Sequence, residues 1–140
     1  MAANTAPIFP LTPNIGGIGN AALLTANTAA DGTGTVSTVF TAGTNGSWVQ
    51  KVRFRAAAGG NNIQTVARVF LNNGSTNATA TNNIQLSEIT LPATTSSSNS
   101  AITDIDLVLN IPIPAGYKIN VVIGTTVATG YYITGWGGDY

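Results

Sequence analysis

Trp48-Val-Gln-Lys-Val-Arg-Phe-Arg-Ala-Ala57 decides the fold class. Successive side chains of an extended strand point to opposite faces. Val52, Phe54 and Ala56 therefore share one face, and Lys51, Arg53 and Arg55 the other. An apolar set and a charged set separated at period two mark a half-buried strand, because a helical period of 3.6 would mix them. Upstream, Asn45-Gly46 is a strong turn signal, and Thr35-Val-Ser-Thr-Val-Phe-Thr41 is rich in β-branched residues. Asp31-Gly32 turns the chain before that, and residues 21–28 are expected to form a first strand.

Downstream, Gly59-Gly-Asn-Asn62 turns the chain into a strand at 63–71, apolar on both faces apart from Arg68. A polar loop at 72–83 follows. The strand at 84–91 sets Ile84, Leu86 and Glu88 against Gln85, Ser87 and Ile89. Residues 92–101 read as a flexible loop. The strand at 102–113 sets Ile105, Leu107 and Leu109 against Asp104 and Asp106, and Pro112 and Pro114 end it. Ala115-Gly116 turns into 117–125, and 127–136 closes the series. No window shows helical periodicity with caps. Eight strands with turns between them predict an all-β, single-domain, jelly-roll-like β-sandwich over residues 21–140, preceded by an extended N-terminal arm at 1–20. Val52, Phe54, Val69, Leu107, Leu109, Ile119 and Val121 are expected inside.

The arm carries Pro7, Pro10, Pro13, Gly16, Gly17 and Gly19, which argue against a helix or a central strand. It also carries Ile8, Phe9, Leu11, Ile15 and Ile18. An apolar extended segment makes sense if it lies on a partner, and it is expected to be mobile in the free protein. The opposite end, Tyr131-Tyr-Ile-Thr-Gly-Trp-Gly-Gly-Asp-Tyr140, is aromatic to its last residue, whereas chain ends are usually polar and frayed. Tyr131, Tyr132, Trp136 and Tyr140 are therefore candidates for a subunit interface.

Composition narrows the function. Charged residues make up 7% of the chain, five basic and five acidic, with no net charge. The usual share is roughly 25%. Without net charge there is no long-range field to draw nucleic acid or anionic lipid, so neither is expected as a partner. So few charges protect a monomer poorly against association, which favours a stable homo-oligomer. There is no Cys and no His. That removes thiolate metal sites and disulfides, and leaves a nucleophile only Lys, Asp or Glu as its base. No Gly-x-Ser-x-Gly elbow and no phosphate loop with a following Lys occurs. Neither an enzyme nor a cofactor is expected. The start, Met1-Ala-Ala-Asn-Thr-Ala-Pro7, lacks the basic and apolar regions of a secretory signal.

Lys51, Arg53 and Arg55 form a stripe with about 6–7 Å between neighbours. It suits an acidic surface, or it is a solvated face that discourages edge pairing. Asp104 and Asp106 share a face in the same way and suit a cross-strand ion pair better than a calcium site.

Asp31-Gly-Thr-Gly-Thr-Val36, Val39-Phe-Thr-Ala-Gly43, Leu71-Asn-Asn-Gly-Ser-Thr-Asn77, Ile89-Thr-Leu-Pro-Ala-Thr94, Pro114-Ala-Gly-Tyr-Lys118 and the terminal Gly-Gly-Asp-Tyr140 carry a resemblance. Together they resemble a family of small bacteriophage and prophage virion structural proteins, over about residues 25–140; residues 1–24 are less typical of it. These proteins are similar to jelly-roll capsid cement or decoration proteins. The resemblance implies a homotrimer on the capsid surface of a virion, made in the bacterial host cytoplasm, with the major capsid protein as partner. Ile8, Phe9, Leu11, Ile15, Ile18, Lys51, Arg53 and Arg55 are then the capsid-docking candidates. Some relatives carry tail-related labels. The alternative is thus a tail or fibre module that contacts carbohydrate through Trp48, Trp136, Tyr131 and Tyr132, since aromatic faces stack on sugars.

Overall fold

The computed structural model describes residues 9–140. Two four-stranded antiparallel sheets face each other. The first runs β1 (Thr12–Gly16), β10 (Tyr131–Asp139), β3 (Ser47–Ala56), β8 (Ile105–Ile113). The second runs β2 (Ser37–Thr41), β9 (Lys118–Ile123), β5 (Thr65–Asn72), β6 (Asn83–Leu91). A short ribbon pairs β4 (Asn61–Asn62) with β7 (Thr94–Thr95). With that ribbon set aside, the first sheet holds the first, eighth, third and sixth strands of the chain, and the second holds the second, seventh, fourth and fifth. Two interlocked Greek keys give this order, which is that of a jelly roll.

Alternation builds the core as the sequence predicts. Val52, Phe54, Val69, Ile119 and Val121 are buried between the sheets. Leu107 and Leu109 are half-buried against them, because β8 is an edge strand at the sandwich margin. Strict alternation fails at four irregularities. On β2, Val39 is an extra residue between Thr38 and Phe40, which pair with consecutive residues of β9, and Val39 and Phe40 are both buried. At Gln50 of β3, Val49 and Lys51 pair with consecutive residues of β10, so the inward set changes from Ser47 and Val49 to Val52 and Phe54. Opposite Gln50, β8 carries its own extra residue, with Asn110 at φ 49°, a region that Asn tolerates better than most residues. On β6, Leu86 is the extra residue between Gln85 and Ser87. Ile84 consequently faces solvent instead of sharing a face with Leu86.

Two expected segments fall elsewhere. The first strand of the sandwich is Thr12–Gly16, inside the arm, and not 21–28. Residues 21–28 supply only the isolated bridge of Leu23 with Tyr131 and scattered backbone bonds such as Asn27 N–H to Ile123 O at 2.8 Å. Thr12–Gly16 thus pairs with β10 throughout instead of lying apart from its own domain. Pro13 does not prevent this, since an edge strand bonds on one side only. Second, Asn62 does more than turn the chain. Its buried amide donates to Gly130 O at 3.0 Å, and its carbonyl accepts the Thr129 N–H at 2.8 Å.

The glycines near the C-terminus explain how closely the sheets approach. A Cβ at Gly135 would meet Val39 O and Phe40 Cβ, and one at Gly137 would meet Trp48 O and the Phe40 ring. Phe40 fills the space that these two residues leave empty.

Candidate functional site

The outer face of the first sheet gathers most of the residues singled out from the sequence. The cross-strand register sets Ile15 against Trp136, Trp136 against Lys51, and Lys51 against Val108. One row further along, Thr134, Arg53 and Asp106 are in line, and Tyr132 lies opposite Arg55. Ile15 of the arm, the basic stripe, Trp136 and Tyr132 thus share one surface. Their distance in sequence conceals this.

The stripe is an ion-pair ladder. Arg53 grips Asp106 with two nearly parallel bonds, Nε to Oδ1 at 2.7 Å and an Nη to Oδ2 at 2.8 Å. Lys51 Nζ reaches Asp106 at 2.8 Å, Arg55 reaches Asp104 at 2.7 Å, and Arg53 also approaches Asp104 at 3.4 Å. The Arg53 and Lys51 hydrogen bonds hold the Asp106 carboxyl well below the usual carboxylate range, and the bond to Asp106 raises Arg53. Lys51 Nζ also stands 5.7 Å from the centre of the Trp136 ring, in cation–π range. With two carboxylates already on the three cations, the stripe presents little free positive charge to an acidic partner.

The four aromatic candidates separate. Tyr131 is 2% exposed, and its hydroxyl donates to Pro92 O at 3.2 Å. Burial pushes its phenol pKa up. It belongs to the core and is unavailable to a partner: alternation along β10 sends Tyr131 and Ile133 inward and Tyr132 outward. Tyr132 is exposed, Trp136 and Tyr140 are half-buried, and the Trp136 indole N–H is buried without an acceptor.

The arm presents its apolar groups to solvent. Leu11 is 83% exposed, Ile18 78%, Phe9 69% and Ile15 42%. Ile8 lies outside the described residues. Polar bonds hold β1 in place instead. Asn14 donates to the Asp139 carboxylate at 2.8 Å and to Thr41 O at 3.0 Å. Asp139 also accepts from the Ser47 hydroxyl, which is fully buried, and from Gly43 N–H at 3.3 Å. Burial raises the Asp139 pKa, but the bonds from Asn14, Ser47 and Gly43 outweigh it, and the net shift is downward. Composition gave no sign of this cluster.

Concave sites offer little chemistry. A broad open cleft of about 720 Å³ lies between residues 20–28 and 35–38, and no ionisable side chain lines it. A smaller groove of about 340 Å³, lined by Pro10, Leu11, Pro13, Trp48 and Gln50 among others, runs beside β1. Among the described residues, no three of His, Cys, Asp and Glu gather as a metal ion would need, and no helix is long and apolar enough to cross a membrane. No protein-family model matches the chain, and neither a curated protein nor a solved structure matches it.

Proposed function

We propose that the protein is a structural component of a bacteriophage virion, a capsid cement or decoration protein that binds the head shell as a homotrimer. One observation carries this reading: Phe9, Leu11, Ile15 and Ile18, in or beside the edge strand β1, all stand exposed. Grouped apolar surface of this kind marks a contact with another protein. The near absence of charge points the same way, as does the resemblance of the turn motifs to virion proteins. The jelly roll alone does not decide, because one fold hosts many functions. In this reading the β1 margin associates with other copies and with the major capsid protein. The basic stripe, left with one net positive charge by Asp104 and Asp106, is secondary. Quantitative mass spectrometry of purified virions tests it. The expected result is many copies per particle, in proportion to the major capsid protein. A chain absent from particles overturns the reading.

A second reading, a tail- or fibre-associated module that contacts host carbohydrate, draws support from Trp48, Trp136 and Tyr132. These lie on strands of one sheet, beside Gln50 and the Arg53–Asp106 pair. Aromatic rings with planar polar partners suit sugar recognition. A handful of copies per particle, with glycan binding lost in a Tyr132→Ala, Trp48→Ala double variant, would favour it.

A further inference from the structure

β1 is held by one neighbour. Its register with β10 runs from Thr12 opposite Asp139 to Gly16 opposite Gly135. Leu11 N–H adds a bond to Asp139 O at 2.7 Å, and Asn14 adds its two side-chain bonds. The strand is thus specified by hydrogen bonds and close approach, not by burial of its own apolar groups. The slot it fills is demanding in return. A Cβ at Gly16 would run into Val39 O, and a Cβ at Gly138 would run into Pro10. The Asp139 carboxylate needs the Asn14 amide. Beyond β1, the Asn20 side-chain amide donates a single bond to Thr38 O at 2.9 Å. The next backbone pairing is at Leu23, which exchanges bonds with Tyr131 at 2.8 and 3.0 Å. Residues 17–22 lie between, with Gly17 at φ 82° and Gly19 at φ 83°. Stretched out, they reach about 20 Å.

We propose that β1 is an exchangeable strand: in the oligomer each copy lends Thr12–Gly16 to the β10 edge of the next copy, in the register seen within one chain, with residues 17–22 as the hinge. This rests on the reading of the protein as self-associating, and names what the contact is made of. The slot itself names the occupant. A strand antiparallel to β10 must end in a glycine beneath Val39 and must carry an amide two residues earlier, at reach of Asp139. A second copy's Thr12–Gly16 supplies both. Exchange keeps every β1–β10 bond and breaks the single Asn20 bond, so the closed and exchanged forms differ only in the hinge and in the new contact between copies. That contact gives Leu11, Ile15 and Ile18 a surface to cover them. Lending in one direction closes into a ring, which suits three copies. A strand tethered to its own slot acts at an effective concentration on the order of mM, so the new contact between copies must offset that advantage for the exchanged form to hold at micromolar concentration.

The chain has no cysteine, so a pair introduced at facing positions reports which chains are joined. Ile15 and Trp136 are direct partners. An I15C/W136C variant is sedimented under reducing conditions, oxidised in its assembled state and run on a non-reducing denaturing gel. Exchange predicts covalent dimers and trimers. An oligomer whose bonds all lie within single chains overturns exchange and leaves self-association standing. A monomer at every concentration, with internal bonds only, overturns both. A second variant leaves Trp136 in place. Deleting residues 18–21 leaves only Gly17 and Ala22 to cover the four-residue span of β10 from Gly135 to Tyr131, about 13 Å. β1 then cannot fold back in register, and the expected result is a complete shift to the oligomer with an unchanged circular dichroism spectrum. A folded monomer would contradict exchange.

Discussion

β9 and β1 are both antiparallel strands in fixed register, yet β9 is buried from Ile119 to Ile123 while β1 leaves its large side chain in solvent. Ile119, Val121 and Ile123 fill the core, and Asn120 and Val122 on the opposite face are also shut off from water. Ile15 of β1 is part of no such layer. The contrast separates two roles that backbone pairing alone would confuse. Hydrogen bonds fix where a strand goes, since unpaired groups are costly. Burial supplies most of what holds it there. A strand with the first and little of the second is well placed but free to make further contacts.

The sharpest way to break this contrast is to compare core with margin directly. Phe40→Ala empties the space over Gly135 and Gly137 and should cost about 3–5 kcal/mol; Ile119→Ala should cost about 2–5 kcal/mol. Urea unfolding measures both. A loss below about 1 kcal/mol at Phe40 would mean that the two sheets do not rest on that ring.

Next in size is the polar cluster that fastens β1. Asp139→Ala strips the buried Ser47 hydroxyl of its acceptor and should cost about 1–3 kcal/mol. The Asp139 carboxyl has a folded pKa below its ordinary 3.8, and Asp106 is lowered further by Arg53 and Lys51. A lowered folded pKa means that the stabilisation is complete above the unfolded pKa and is lost as pH falls through the folded one. Stability should therefore be flat from neutral pH to about 5 and decline below about 4. In Asp139→Ala the decline should be shallower. An unchanged acid limb would show that Asp139 is not held as described.

The ladder comes third. The Arg53–Asp106 pair lies on the surface, where ion pairs are screened. Arg53→Ala should lower the melting temperature slightly at low salt and not at all in 1 M salt. A drop that persists in high salt would give Arg53 a packing role. The smallest effect on stability belongs to the margin: Leu11→Ser and Ile15→Ser should each change it by less than about 0.5 kcal/mol.

Much of this was legible in the residues, for reasons that also set its limits. The alternation from Lys51 to Ala56 placed β3, its core side and its charged side, because period two is written in side-chain polarity. Opposed charges on two such strands made the ladder foreseeable, although not its register. The irregularities at Val39, Gln50, Asn110 and Leu86 left no trace, since an extra residue in a strand looks like any other residue. β1 was hidden because Pro13, Gly16 and Gly17 argue against strands in general, and only the edge position makes them acceptable. Tyr131 was misjudged as an interface residue because aromatic content was weighed and parity was not. Tyr131, Ile133 and Gly135 form the inward set, and the spacing was there to be read. The Asp139 cluster joins residues from both ends of the chain, and no local pattern could announce it.

Sedimentation of the wild type beside a Leu11→Ser, Ile15→Ser, Ile18→Ser variant tests most directly whether the β1 margin is the association surface. At micromolar concentration the wild type should sediment at three times its 14.2 kDa chain mass. The variant should sediment as a folded monomer with the same circular dichroism spectrum. A monomeric wild type, or a variant that remains trimeric, would contradict the account.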